Sequence, residues 1–311
     1  MLQTVAKSFF HILAGSVALK SLASRYGMRR AGGFARRFIA GETVEEAIAA
    51  ARTIQSEGLL ATLDFLGESV SSAAEADAAT RAYLGVVDAI AASGIERNIS
   101  LKLTQLGLTI DRATCVDNLR RILDAATTLD VFVRIDMENS PFTAVTLDIF
   151  ETMWQQGYRN AGVVLQSCLP RSEADAGRMN ALGARVRLVK GAYKEPRDVA
   201  YQAKADVDAA FVRIMRMLLA GGCYPAIATH DPAMIEATQA TATGGGVDPS
   251  RFEFQMLYGI RRDLQNSLKR QGYRMRVYVP FGREWFPYFM RRLGERPANV
   301  GFVVRGILSE G

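Results

Sequence analysis

The sequence predicts an α/β fold: a distorted (β/α)8 TIM-type barrel with an N-terminal helical arm. Three observations carry this prediction. Eight short apolar, β-rich runs recur between residues 59 and 282. Segments long enough for a helix separate them. A polar residue stands in or just after every run. Near-continuous apolar strands indicate a parallel sheet covered on both faces, and eight strand–helix repeats close such a sheet into a barrel. At 311 residues the chain is long for an ordinary domain but normal for one barrel. An open doubly wound sheet is the alternative. It lacks its signature, because no G-x-G-x-x-G follows any run and the GGG at 244–246 sits in a loop.

In chain order, residues 1–57 form the arm and residues 58–311 the barrel. ETVEEAIAAARTIQSEG (42–58) contains an amphipathic helix over 42–57. The strands follow as LLATLDFL (59–66), ISLKLTQL (99–106), VFVRIDME (131–138), AGVVLQS (161–167), VRLVKGAY (186–193), YPAIATH (224–230), FEFQML (252–257) and MRVYVPFG (275–282). Helical segments such as TRAYLGVVDAIAAS and VDNLRRILDAATTLD lie between them.

Active-site groups of such barrels sit at the carboxyl ends of the strands. Here Glu68 comes just after the first run, Lys102 lies in the second and Asp136 in the third. Gln166 follows in the fourth, Arg187 and Lys190 in the fifth, Thr229 and His230 in the sixth, Gln255 in the seventh and Tyr278 at the end of the eighth. One charge in an apolar run is most often half of a structural ion pair. A polar residue in every run instead describes one polar, ligand-filled mouth. Beyond the last run, YFMRRLGERPAN (288–299) puts Tyr288, Arg291, Arg292 and Glu295 at helical spacing as one polar cluster. Adjacent guanidiniums grip a carboxylate or phosphate. The flanking Trp285, Phe286 and Phe289 imply a dry neighbourhood.

Composition narrows the chemistry. Cys115, Cys168 and Cys223 have no metal-ligand spacing and indicate a reduced compartment. With His11 and His230 as the only histidines, a zinc site or a Ser-His-Asp triad has little to work with. The net charge is +6, yet Lys7, Lys20, Arg25, Arg29, Arg30, Arg36 and Arg37 all fall in an acid-free stretch of residues 1–40. Such an arm fits a solvated helix pair, a contact with an anionic membrane, or an organellar transit segment. No motif supports nucleic-acid binding. No secretory signal is apparent, and Phe9–Leu19 is too short to span a bilayer.

On the motifs FLGES (65–69), SLKLTQLG (100–107), RIDME (134–138), RLVKGAY (187–193), ATHDP (228–232), FEFQMLYG (252–259), VYVPFG (277–282) and YFMRRLGERPAN, the sequence resembles the proline dehydrogenase family in its monofunctional bacterial form. The resemblance spans roughly residues 58–305. It implies a barrel that binds FAD and oxidises L-proline to Δ1-pyrroline-5-carboxylate, with hydride passing from the proline Cδ to flavin N5 and electrons leaving to a membrane quinone. Arg291, Arg292 and Lys102 match the proline-carboxylate clamp. Tyr278, Tyr193 and Leu257 match residues shaping the ring pocket, and Asp136 a polar neighbour of the lysine. Glu295 matches an acid that holds one arginine, and Glu68 the acid that pairs with the outer arginine and closes the site. Asp136, Met137, Gln166, Arg187, Val189, Lys190, Gly191, Ala192, Thr229, His230 and Gln255 match flavin-site positions. Tyr258 stands where some relatives have a histidine. The resemblance further implies the cytoplasm, with peripheral contact at the inner face of the membrane, and a separate pyrroline-5-carboxylate dehydrogenase downstream, since no partner domain follows Gly311.

Two other readings compete. A barrel aldolase would use Lys102 or Lys190 as a Schiff-base nucleophile. A membrane- or nucleic-acid-binding protein would act through the basic arm and leave the barrel idle.

Overall fold

The computed structural model describes residues 34–221 and 224–295, with side chains to Arg292 in the last helix. Most of the basic arm, Cys223, the Glu295 side chain and residues 296–311 lie outside the described residues.

Eight strands close a parallel barrel in sequence order. They are β1 (Leu60–Phe65), β2 (Asn98–Leu101), β3 (Phe132–Ile135), β4 (Ala161–Gln166), β5 (Arg185–Val189), β6 (Ala226–Ala228), β7 (Glu253–Leu257) and β8 (Met275–Phe281). Closure comes from β8 pairing along the whole of β1, from Leu60 opposite Arg276 to Phe65 opposite Phe281. Helix α1 (Val44–Ser56) precedes β1. The strands are then followed in turn by α2 (Ala73–Ser93), α3 (Arg112–Thr128), α4 (Ser140–Gln155), α5 (Ser172–Leu182), α6 (Lys204–Gly221), α7 (Pro232–Gly244), α8 (Arg262–Arg270) and α9 (Trp285–Glu295).

Local chemistry sets these elements. Helix α1 starts at a reciprocal capping box between Thr43 and Glu46. It buries Ala47, Ile48, Ala51 and Ile54, one stripe of its surface, within the same apolar cluster as the barrel. Strands β2 and β4 are buried at every position, as an all-parallel sheet under helices requires. One buried charge inside the barrel, Arg276, is matched by carboxylates. Arg276 meets both oxygens of Glu253 at 2.8 and 2.9 Å and reaches Glu96 at 2.7 Å. Burial would raise the Glu253 pKa, but Arg276 outweighs it and holds the carboxyl at about 2.

The predicted strands are longer than those in the structure, most of all in four cases. VRLVKGAY leaves the sheet after Val189, so that Lys190 lies just beyond β5, and YPAIATH is a strand only over Ala226–Ala228, so that Thr229 and His230 lie beyond β6. ISLKLTQL leaves the sheet after Leu101 and makes a 3-10 turn, Leu103–Leu106. VFVRIDME leaves it after Ile135. Lys102 and Asp136 are therefore the first residues beyond β2 and β3 rather than members of them. Tyr278, expected to end the eighth strand, stands three residues before its end at Phe281. Barrel stagger accounts for this: the mouth is reached at a different point along each strand.

A second apolar cluster lies beside the strand ends. Ala35, Phe38 and Ile39 pack there with Leu66, Ile260 and the α9 residues Trp285, Phe286, Tyr288, Phe289 and Met290. The dry surroundings expected for the α9 arginines are thus present: Trp285, Phe286 and Phe289 are each at most 2% exposed.

Candidate active site

The polar residues of the mouth divide by strand. Strands β8, β1, β2 and β3 are consecutive round the barrel, and with α9 they carry a cluster of ion pairs. Lys102 sits on the floor of this half. Its Nζ lies 3.1 and 3.4 Å from the Asp64 oxygens and 3.5 Å from Asp136. Burial alone would push Lys102 down, but the carboxylates of Asp64 and Asp136 outweigh it and hold the ammonium well above the usual lysine range.

Asp136 is the hub. One oxygen accepts from Arg187 Nη1 at 2.6 Å, and the other accepts from the Tyr278 hydroxyl at 2.6 Å. Burial and the Asp136 charge both raise the Tyr278 pKa, so its hydroxyl keeps its proton. Arg187 also donates from Nε to Gln255 Oε1 at 2.5 Å and from Nη2 to Ser100 Oγ at 3.0 Å. Its guanidinium carbon lies 5.2 Å from the centre of the Tyr278 ring. This one arginine joins the two halves of the mouth.

Above the floor, α9 brings Arg291 to Glu68 in a two-bond pair at 2.7 and 3.0 Å. Burial works to raise the Glu68 pKa, but Arg291 and Lys102 hold the carboxyl below its ordinary value. Arg292 lies over the Tyr288 ring, 5.1 Å from its centre. Of the polar cluster predicted on α9, Tyr288 and Arg292 meet, and Arg291 reaches across to Glu68 in the loop after β1, while the Glu295 side chain lies outside the described residues. Tyr288 is 6% exposed and belongs to the apolar cluster. Tyr193 is half-buried among the charges of Glu68, Lys102 and Arg291, with its pKa raised mainly by burial.

Strands β4 to β7 form the other half. Gln166 donates to the Glu138 carbonyl at 2.9 Å. Lys190 is held by Asp208 and by Asp231, the latter at 2.7 Å. The Thr229 hydroxyl accepts from the Asp231 N–H at 3.1 Å. His230 Nε2 accepts from the Leu257 N–H at 3.0 Å, which leaves Leu257 half-buried at the rim. Met137 is buried, Val189 is half-buried, and Gly191 and Ala192 are exposed. Tyr258 donates its N–H to the Tyr278 carbonyl at 2.9 Å, and its ring lies 5.8 Å from the Arg262 guanidinium.

Sequence reasoning passed over Asp64, Ser100 and Glu138. Asp64 had a usable signal: it is the only charge within LLATLDFL. Glu68, just after the same run, is a second acid that competes with it for the role. Ser100 carries no such signal, because a serine in a strand is ordinary, and Glu138 shares the run VFVRIDME with Asp136, which already supplies an acid.

A closed parallel (β/α)8 barrel with buried, ion-paired groups converging beyond the strand ends defines a barrel enzyme. Comparison with known proteins narrows the class. The family model described as "Proline dehydrogenase" matches residues 47–305. The chain is 42% identical over 301 residues to "Proline dehydrogenase 1" of Bacillus subtilis subsp. natto, covering 97% of this chain and 98% of that protein. It is 41% identical over 278 residues to "Proline dehydrogenase" of Deinococcus radiodurans, covering 88% and 90%. Among solved structures, it is similar to proline utilization A (PutA) from Bdellovibrio bacteriovorus inactivated by N-propargylglycine. The TM-score is 0.80 and the identity 28%, over 84% of this chain and 32% of that one. The chain thus spans about a third of that larger protein. The chain belongs to the proline dehydrogenase family.

Proposed function

We propose that this chain oxidises L-proline to Δ1-pyrroline-5-carboxylate with FAD as cofactor and a quinone as final acceptor. The single observation that carries the reading is the two-part mouth: a half of closely paired cations and carboxylates beside a half of amides, a hydroxyl, bare backbone and the Lys190 ion pair. The latter suits a flavin. Gly191 has φ +116°, and a Cβ there would come 2.4 Å from Cys168 Sγ. The exposed backbone at Gly191 and Ala192 therefore depends on a glycine, and it lets a ligand approach closely. Gln166, Thr229, His230, Gln255 and Lys190 supply donors and acceptors around it.

In this reading the proline carboxylate is held by Arg291, Arg292 and Lys102. Asp64 and Asp136 keep Lys102 charged and in place. Glu68 fixes the outer face of Arg291 and closes the mouth over the substrate. Tyr278, Tyr193 and Leu257 bound the ring pocket, and Asp136 locks the Tyr278 hydroxyl. FAD, when bound, supplies the hydride acceptor, with N5 as the receiving atom. Arg187 offers a fixed positive charge at the seam between substrate and cofactor. No side-chain base need act on carbon if the substrate amine is neutral and its lone pair free. Holding the substrate in one orientation is the protein's main contribution.

The aldolase alternative is disfavoured at both of its lysines: Lys190 is held between Asp208 and Asp231, and Lys102 between Asp64 and Asp136. A Schiff-base lysine needs a lowered pKa, and that of Lys102 is raised. Among the described residues no helix is long and apolar enough to cross a membrane. In this reading contact with a membrane quinone is peripheral. The basic arm is the segment suited to it.

The test is an absorbance spectrum of the purified protein before and after L-proline. Flavin bands that bleach under anaerobic proline are expected. A colourless protein that binds no added FAD, or bands indifferent to proline, would overturn the reading.

A further inference from the structure

Glu68 sits between two constrained residues. Ser69 is exposed, yet it holds φ +52°, a left-handed backbone that side-chain-bearing residues avoid. Its N–H donates to Thr104 Oγ1 at 3.1 Å. That hydroxyl donates in turn to Glu138 Oε2 at 2.5 Å, and the Thr104 N–H donates to Glu138 Oε1 at 3.1 Å. Thr104 is fully buried and Glu138 is 4% exposed. On the other side, a Cβ on Gly67 would come 2.4 Å from Gln105 Nε2. Gln105 is itself held by the Tyr83 hydroxyl at 3.0 Å. Both chain neighbours of Glu68 therefore rest on Thr104 and Gln105, in the one-turn helix just after Lys102.

The Thr104 hydroxyl has one proton, and it goes to the Glu138 carboxylate. Its lone pairs are then available to Ser69. Glu138 thus orients the hydroxyl so that it accepts from the loop. We propose that Thr104, set by Glu138, is a positioning residue: it latches the Ser69 backbone and so holds the Glu68 carboxylate on Arg291. This rests on the reading that the Glu68–Arg291 pair closes the site over proline. Without the latch, Ser69 loses the acceptor that offsets its strained backbone. The loop then relaxes and carries Glu68 away from Arg291.

The experiment is steady-state kinetics of the FAD-loaded, full-length enzyme with proline and a dye acceptor. Thr104→Val keeps the side-chain shape and removes the hydroxyl. It should raise the proline KM about tenfold, the scale of one lost hydrogen bond, with kcat little changed. Thr104→Ser restores the hydroxyl and should restore KM. Glu68→Gln should raise KM comparably, and adding Thr104→Val to it should raise KM no further. If Thr104→Val does not fold, Ser69→Pro removes the same N–H and forbids positive φ at an exposed position, and it should give the same KM rise. Should Glu68→Gln alone leave KM unchanged, the closing role of the ion pair fails and the latch falls with it. Should Glu68→Gln raise KM while Thr104→Val and Ser69→Pro do not, or should the double variant show multiplied effects, the latch alone is overturned.

Discussion

The residues of the mouth owe their states to each other rather than to their own chemistry. Lys102 is a buried amine that stays charged because two carboxylates surround it. Tyr278 is a phenol fixed by Asp136. Arg291 is oriented by two parallel bonds to Glu68. Replacing a member of the clamp should therefore cost substrate binding more than cofactor binding. Arg291→Met and Arg292→Met are each expected to raise the proline KM by a factor equivalent to about 1.5–3 kcal/mol, the range for a charged hydrogen bond. Flavin content should stay near wild type, because neither side chain lies on the β4–β7 half. Kinetics with bound flavin quantified by absorbance checks both parts. An unchanged KM for either variant would remove that arginine from the carboxylate site.

At the scale of elements, α7 shows how a helix terminus and the site share one residue. Asp231 caps α7 by accepting from the Ala233 N–H at 3.1 Å, and it also holds Lys190. Lys190, with Lys204, lowers the Asp231 pKa to about 2. A depressed folded-state pKa means that the associated stabilisation is fully present above the ordinary aspartate value, about 3.9. It fades as the pH falls from there through the folded value. Asp231→Asn retains a good cap but loses the charge. Its Tm should lie below wild type at neutral pH, and the gap should narrow as the pH drops below about 4. Thermal unfolding across pH measures this. A gap constant with pH would show that the charge on Asp231, and with it the Lys190 pair, does not account for the difference. The sheet and its helices were legible in the sequence because apolar runs and helix-length gaps recur eight times. Strand ends such as Leu101 and Ile135 were less so, because the turns that follow keep the same apolar, β-rich composition.

At the scale of the whole molecule, the segment before α1 is part of how the site is built. Ala35, Phe38 and Ile39 are at most 1% exposed against α9. The Ala40 N–H donates to the Pro280 carbonyl at 2.9 Å, and Trp285 Nε1 donates to Glu42 at 3.1 Å. Removing residues 1–40 would strip Phe38 and Ile39 from the cluster, each worth about 1.5–3 kcal/mol of burial, and would loosen the helix that carries Arg291 and Arg292. That truncation should lower Tm and raise the proline KM together. Removing residues 1–33 keeps Ala35, Phe38 and Ile39 in the chain, and it should weaken binding to anionic vesicles. Thermal unfolding and vesicle sedimentation separate the two effects. Vesicle binding that survives the shorter deletion would exclude the arm as the membrane contact.

The barrel, the order of its strands and most of the polar residues at its mouth, though not Asp64, Ser100 or Glu138, were legible in the sequence alone. These follow from periodicity and from motifs read along the chain, which need no knowledge of distant neighbours. Only the tertiary structure decided the pairings: Lys102 with Asp64, Arg187 with Asp136 and Gln255, Arg291 with Glu68, and Thr104 with Glu138 and Ser69. Barrel closure joins residues tens to hundreds of positions apart, and no local pattern records which of several acids a given cation will meet. The same limit applies to α9. Helical spacing places Arg291 and Arg292 next to each other, but what each one faces depends on how α9 packs with Ala35, Phe38, Ile39, Leu66 and Ile260.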